Sequence, residues 1–109
     1  MASDETTVAV SVVMLIRREL EDDYVGIWKV PWHIRRALPN AGDDQVQKIA
    51  ASILGDLVAA DVALGDLDEE TGTFLPWLAT GAAEKVMAAW RDLGRDPNIG
   101  DVAWLAKNG

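Results

Sequence analysis

The stretch 43-DDQVQKIAASILGDLVAADVALGDLDEETGTFLPW-77 decides the fold. Within it Val46, Ile49, Ala50, Ile53, Leu54, Leu57 and Val58 recur at the three- and four-residue spacing of a single helical stripe, which predicts an amphipathic helix over 44–60. Asp44 and Gln47 stand at capping-box spacing, where the carboxylate accepts from an early backbone N–H and the amide reaches back. After Ala60 the pattern changes. Val62-Ala63-Leu64 and Thr73-Phe74-Leu75-Pro76-Trp77 are short apolar runs on either side of the acidic, turn-rich Gly65–Gly72, so residues 62–77 read as strand, loop and strand.

Upstream, Met1–Thr7 carries Asp4 and Glu5 and no basic residue, unlike the start of a secretory signal, and residues 1–6 are expected to be flexible. The apolar run Val8–Ile16 is nine residues, too short to span a bilayer, so a cytoplasmic protein without membrane contact is expected. Val8, Val12, Leu15, Ile16 and Leu20 have helical spacing and predict a helix over 7–22, supported by Arg17/Glu21 and Arg18/Asp22 pairs. The β-branched Val8, Val10, Val12 and Val13 suit a strand as well, and both readings stand for 8–14. If helical, the segment is apolar on almost every side, which makes residues 8–20 a candidate homodimer seam. Between Asp22 and Gly42, Gly26, Pro31, Pro39 and Gly42 punctuate the chain, and Pro31 can open a short helix over 32–38 because its missing N–H is not needed there.

Downstream, Thr80 is placed to cap a helix running to Leu93, with Ala83, Val86, Met87, Trp90 and Leu93 inward and Gly94 ending it. Asp96-Pro97 has the order of a further helix start, with Ile99, Val102, Ala103 and Trp104 on one face. These two Trp-bearing segments would form a lid over helix and hairpin. The 109 residues suit one domain, and with half of them apolar and five tryptophans among them a folded core is expected.

A helix pair feeding a third amphipathic helix (44–60) and then a two-stranded wing (62–77) resembles the winged-helix family in the order and spacing of its elements. The resemblance implies an α+β, mostly helical domain: helices around a core, one short β-hairpin as the wing, and C-terminal helices. In that family the third helix often enters the DNA major groove, and the fold also serves as a protein-docking module.

Chemistry-bearing patterns are few. Without cysteine, disulfides and thiolate metal sites are excluded. The single histidine, His33, has no partner in sequence for base or ligand chemistry, and Ser3, Ser11 and Ser52 lack a nucleophile context. Asp66, Asp68 and Glu70 alternate like calcium ligands, but the glycine such a loop needs falls on Thr71 and the last ligand on Trp77. No enzyme, cofactor or metal is expected. Charge is more informative. Residues 43–77 hold eight acids and one base (1 − 8 = −7), against −1 for 1–42 and 0 for 78–109. That field opposes duplex DNA, whose binding depends on Lys and Arg replacing counterions. The expected function is therefore an acidic module docking a basic protein (an inhibitor, immunity-type factor or DNA mimic) through Asp56, Asp66, Asp68, Glu69 and Glu70. The alternative is a DNA-binding regulator using Lys29, His33, Arg35 and Arg36, interleaved with Trp28 and Trp32.

Overall fold

The structure, a computed structural model, describes residues 2–107. Met1, within the segment expected to be flexible, and the polar end at Asn108 and Gly109 lie outside the described residues. The elements run α1 (Ala2–Glu19), β1 (Val25–Gly26), α2 (Lys29–Ala37), α3 (Asp43–Ala59), β2 (Val62–Leu67), β3 (Phe74–Pro76), α4 (Ala82–Leu93) and β4 (Trp104–Lys107). The class is α+β, with an antiparallel sheet in the order β1-β4-β2-β3.

The stripe on α3 is buried as its spacing requires: Val46, Ile49, Ala50, Ile53, Leu54 and Leu57 are core and Val58 is half-buried. Each fully buried Val, Ile or Leu of the stripe contributes roughly 1.5–3 kcal/mol on leaving water, so this helix supplies a large share of the core. The capping box does not form. Gly42 occupies the cap with no side-chain bond, and Asp43 and Asp44 sit in the first turn, where the helix dipole favours them.

The first segment is helical, and the strand reading of 8–14 falls away. It begins at Ala2 and ends at Glu19, with Ala9, Val12 and Ile16 inward, Val10, Met14 and Leu15 exposed, and Leu20 buried just past its end. Because the helix stops at Glu19, the pairing expected of Glu21 with Arg17 is replaced by an ion pair with Lys107 of β4 at 3.2 Å. In α2, which starts at Lys29 rather than 32, Pro31 is in the first turn. In α4 the left-handed Gly81, not Thr80, precedes the first residue, while Gly94 ends the helix in the left-handed region as expected.

The largest departure is at the C-terminus. No helix follows Pro97; the chain loops through Gly100 (φ 86°) and enters β4 between β1 and β2. An intervening loop leaves Ile99 exposed, and Ala103, Leu105 and Ala106 bury instead. The hairpin is real, with Gly65 opposite Pro76, Asp66 opposite Leu75 and Leu67 opposite Phe74, but it is one side of a sheet rather than a free wing. The C-terminal segment is thus a central strand, not a lid. Tyr24, just before β1, stacks on Phe74 of β3 with ring centroids 5.6 Å apart.

Of the tryptophans only Trp90 is fully buried; Trp28, Trp77 and Trp104 are half-buried and Trp32 is exposed. Buried side chains from all four helices and from β1, β2 and β4 form one cluster. Among the described residues no helix is long and apolar enough to cross a membrane.

Candidate functional site: an acidic hairpin groove

The acidic hairpin tip is organised by its own aspartates. Asp68 Oδ1 accepts from the backbone N–H of Glu70 at 2.9 Å and of Thr71 at 3.4 Å, an Asx-type turn. The backbone closes around it, Asp68 N–H donating to Thr73 at 2.9 Å and Gly72 N–H to Asp68 at 2.7 Å. Asp66 accepts from Trp77 Nε1 at 2.9 Å, and Lys85 sits 3.9 Å above the Trp77 ring. Glu69 and Glu70 are exposed and neither is in an ion pair among the described residues. Two aspartates therefore fix the shape of the tip and two glutamates project charge from it.

Beside this tip runs a groove of about 460 Å³. Asp66, Asp68 and Glu69 line one side; Val102, Ala103 and Trp104 line the other. Trp104 faces Gly26 on one neighbouring strand and Gly65 on the other, so no side chain rises beside its indole from either strand. Gly65 is also required by close approach. A Cβ there would overlap the Leu75 carbonyl oxygen and stand 2.9 Å from the Leu75 carbonyl carbon and Pro76 Cα. On the opposite wall Val102 has φ 67°, and Ala103 N–H donates to Asp101 at 2.8 Å across it, a γ-turn in a region that β-branched residues rarely occupy. The 95–103 loop is pinned by Asp101, whose carboxylate accepts from Asn98 N–H and from Arg95, both at 2.9 Å, and these bonds hold its pKa below the usual aspartate range.

Asp56 is not part of this groove. It lies on the exposed side of α3 in a separate cleft against α1, with Glu5 and Lys48. Asp43 is likewise withdrawn from the acidic set by an ion pair with Arg35 at 2.9 Å. The acidic excess of 43–77 is thus divided, and Asp66, Asp68 and Glu69 share one groove.

The basic segment is largely neutralised from within. Glu19 of α1 takes both Lys29 at 3.0 Å and His33 Nε2 at 2.9 Å. Burial pushes the Glu19 pKa up, but the hydrogen bonds and charges of His33 and Lys29 outweigh it and hold the carboxyl below its ordinary value. Arg35 bonds Asp96 at 2.6 Å as well as Asp43, and the Asp96 bond outweighs burial to raise its pKa. Arg36 alone of the four lies outside these ion pairs, stacked 4.6 Å over Trp32.

The strand position of Trp104 and the strained turn at Val102 were hidden by reading a helix start at Asp96-Pro97. No sequence signal marked the strand: Ala103–Ala106 is apolar throughout, and Ala103, Leu105 and Ala106 are all buried beside half-buried Trp104. No protein-family model, no curated protein and no solved structure matches the chain.

Proposed function

We propose that this chain is a protein-docking module, not an enzyme, that takes a basic partner in the groove between the β2–β3 tip and residues 100–104. The observation that carries it is the asymmetry of charge pairing: Lys29, His33 and Arg35 are held by Glu19, Asp96 and Asp43, whereas Glu69 and Glu70 are in no ion pair among the described residues. An unpaired acidic rim over an apolar floor steers a basic surface and then desolvates against it. The scaffold we propose is winged-helix-like, supported by the order of a helix pair, a third helix and a hairpin. In that scheme the protein is a cytoplasmic inhibitor, immunity-type factor or DNA mimic. The exposed Val10, Met14 and Leu15 are what a homodimer seam along 8–20 would use, and sedimentation of the wild type against Met14→Glu decides it.

The test is fluorescence anisotropy with a labelled duplex DNA and a labelled hexa-arginine peptide across a salt series. The duplex should not bind at physiological salt, where even nonspecific DNA binders hold at ~10⁻⁴ to 10⁻⁶ M. The peptide should bind, more weakly as salt rises and more weakly still to Glu69→Lys/Glu70→Lys. Sub-micromolar duplex binding that is lost in Arg35→Ala/Arg36→Ala would overturn the proposal in favour of the DNA-binding reading.

A further inference from the structure

A second concavity, of about 410 Å³, lies on the other side of Trp104. Its walls are aromatic: Tyr24, Trp28 and Trp104. Gly26 forms the floor, and a Cβ there would stand 2.5 Å from Trp28 Cδ1 and 3.6 Å from Trp104 Cζ3, so the rings are close because the residue between them is glycine. At the rim are Glu19, Asp22, Asp23 and Lys29, three acids and one base (1 − 3 = −2). Glu19 and Lys29 satisfy one another, and the two aspartates carry the remaining charge. Asp22 and Asp23 are exposed and neither is in an ion pair among the described residues.

Aromatic faces beside unpaired carboxylates select a cation that also has flat or aliphatic bulk, which is the chemistry of an arginine or lysine side chain. The acidic groove has the same preference, and Trp104 lines both. From this continuity we infer that the two concavities are one seat for an extended, basic segment of the partner. The segment crosses Trp104, placing one cationic side chain against Asp66, Asp68 and Glu69 and another among Tyr24, Trp28 and Trp104 under Asp22 and Asp23. The inference rests on the docking function proposed above and specifies the form of the partner: a linear basic peptide, read on both flanks of one indole.

Indole N–H resonances of the ¹⁵N-labelled full chain, titrated with hexa-arginine, test it. The Trp28 and Trp104 signals should move saturably, while Trp90, 1 % exposed, stays still and supplies the internal control. Asp22→Asn/Asp23→Asn should weaken the affinity read at Trp28 roughly threefold to tenfold, the effect of two exposed charges. Tyr24→Leu, which keeps apolar bulk but removes the ring face, should weaken it as well. If Trp104 moves but Trp28 does not and these variants change nothing, while Glu69→Lys/Glu70→Lys still weakens binding, the second groove is not part of the seat and the docking function stands. If hexa-arginine fails to bind, or binds regardless of Glu69 and Glu70, the docking function falls and this inference falls with it.

Discussion

Replacing Gly65 by alanine should separate a backbone requirement from ordinary glycine tolerance. The new Cβ meets the Leu75 carbonyl and Pro76 Cα across the β2–β3 pair, where the obstacle is backbone and cannot rotate away. Forcing the strands apart costs about 1–3 kcal/mol as overpacking. It also loosens the Trp77 N–H bond to Leu64, now 2.8 Å, worth about 1 kcal/mol. Against this, alanine recovers roughly 0.5–1 kcal/mol of the entropy that glycine loses in a strand. The net is a loss of roughly 1–3.5 kcal/mol, by the same magnitudes. For 109 residues the unfolding entropy is about 0.23 kcal/mol per kelvin, so the Tm should drop by about 4–15 °C. Gly55, on the exposed side of α3 with nothing near its missing Cβ, is the matched control. Alanine there should raise the Tm by about 4 °C, from a helix-propensity gain of about 0.8–1 kcal/mol. Differential scanning calorimetry reads both. A Gly65→Ala protein melting within about 2 °C of wild type would show that the Leu75 carbonyl does not lie against Gly65 and that the hairpin is not held as described.

Leu57→Ala, at a fully buried position on α3, should cost about 2–5 kcal/mol in denaturant unfolding; a loss below about 0.5 kcal/mol would take the helix out of the core. Glu69→Lys/Glu70→Lys should leave the Tm nearly unchanged, because exposed charges contribute only about 0–1 kcal/mol, and a collapsed fold would contradict the solvated tip. Glu19 has a folded-state pKa below its unfolded value, so the stability it supplies is full above about pH 4.3 and lost as pH falls through the folded value. The stability difference between wild type and Glu19→Gln, followed from pH 7 to pH 3, should therefore shrink toward acid. A difference that grows toward acid would reverse the sign of the shift.

What the sequence disclosed followed the strength of its periodicity. The α3 stripe has seven apolar residues at helical spacing, and six of the seven are buried. The hairpin was legible because glycines and acids separate two apolar runs. The C-terminal strand was not legible, since Asp96-Pro97 imitates a helix start and four residues of strand are too few to show a period of two. β1, two residues long, has no pattern at all; it exists because β4 pairs with it. The candidate site divided in the same way. Glu69 and Glu70 could be named from local composition, whereas the removal of Asp43 and the isolation of Asp56 are set by which helix lies alongside. The pairing of Glu19 with both Lys29 and His33, which lies 14 residues further along the chain, required the packing of α1 on α2.

The stack of Tyr24 on Phe74 bears on how this domain meets other chains. β1 and β3 are the outer strands, and three strand spacings of about 4.8 Å would hold them roughly 14 Å apart in a flat sheet. The two rings meet at 5.6 Å across one face of the twisted sheet and so tie the start of β1 to β3. One margin is two residues long and the other ends in Pro76, which has no N–H to offer. An incoming backbone thus finds almost no ladder to extend. Association by strand addition, the common hazard of small sheets, is disfavoured at both margins.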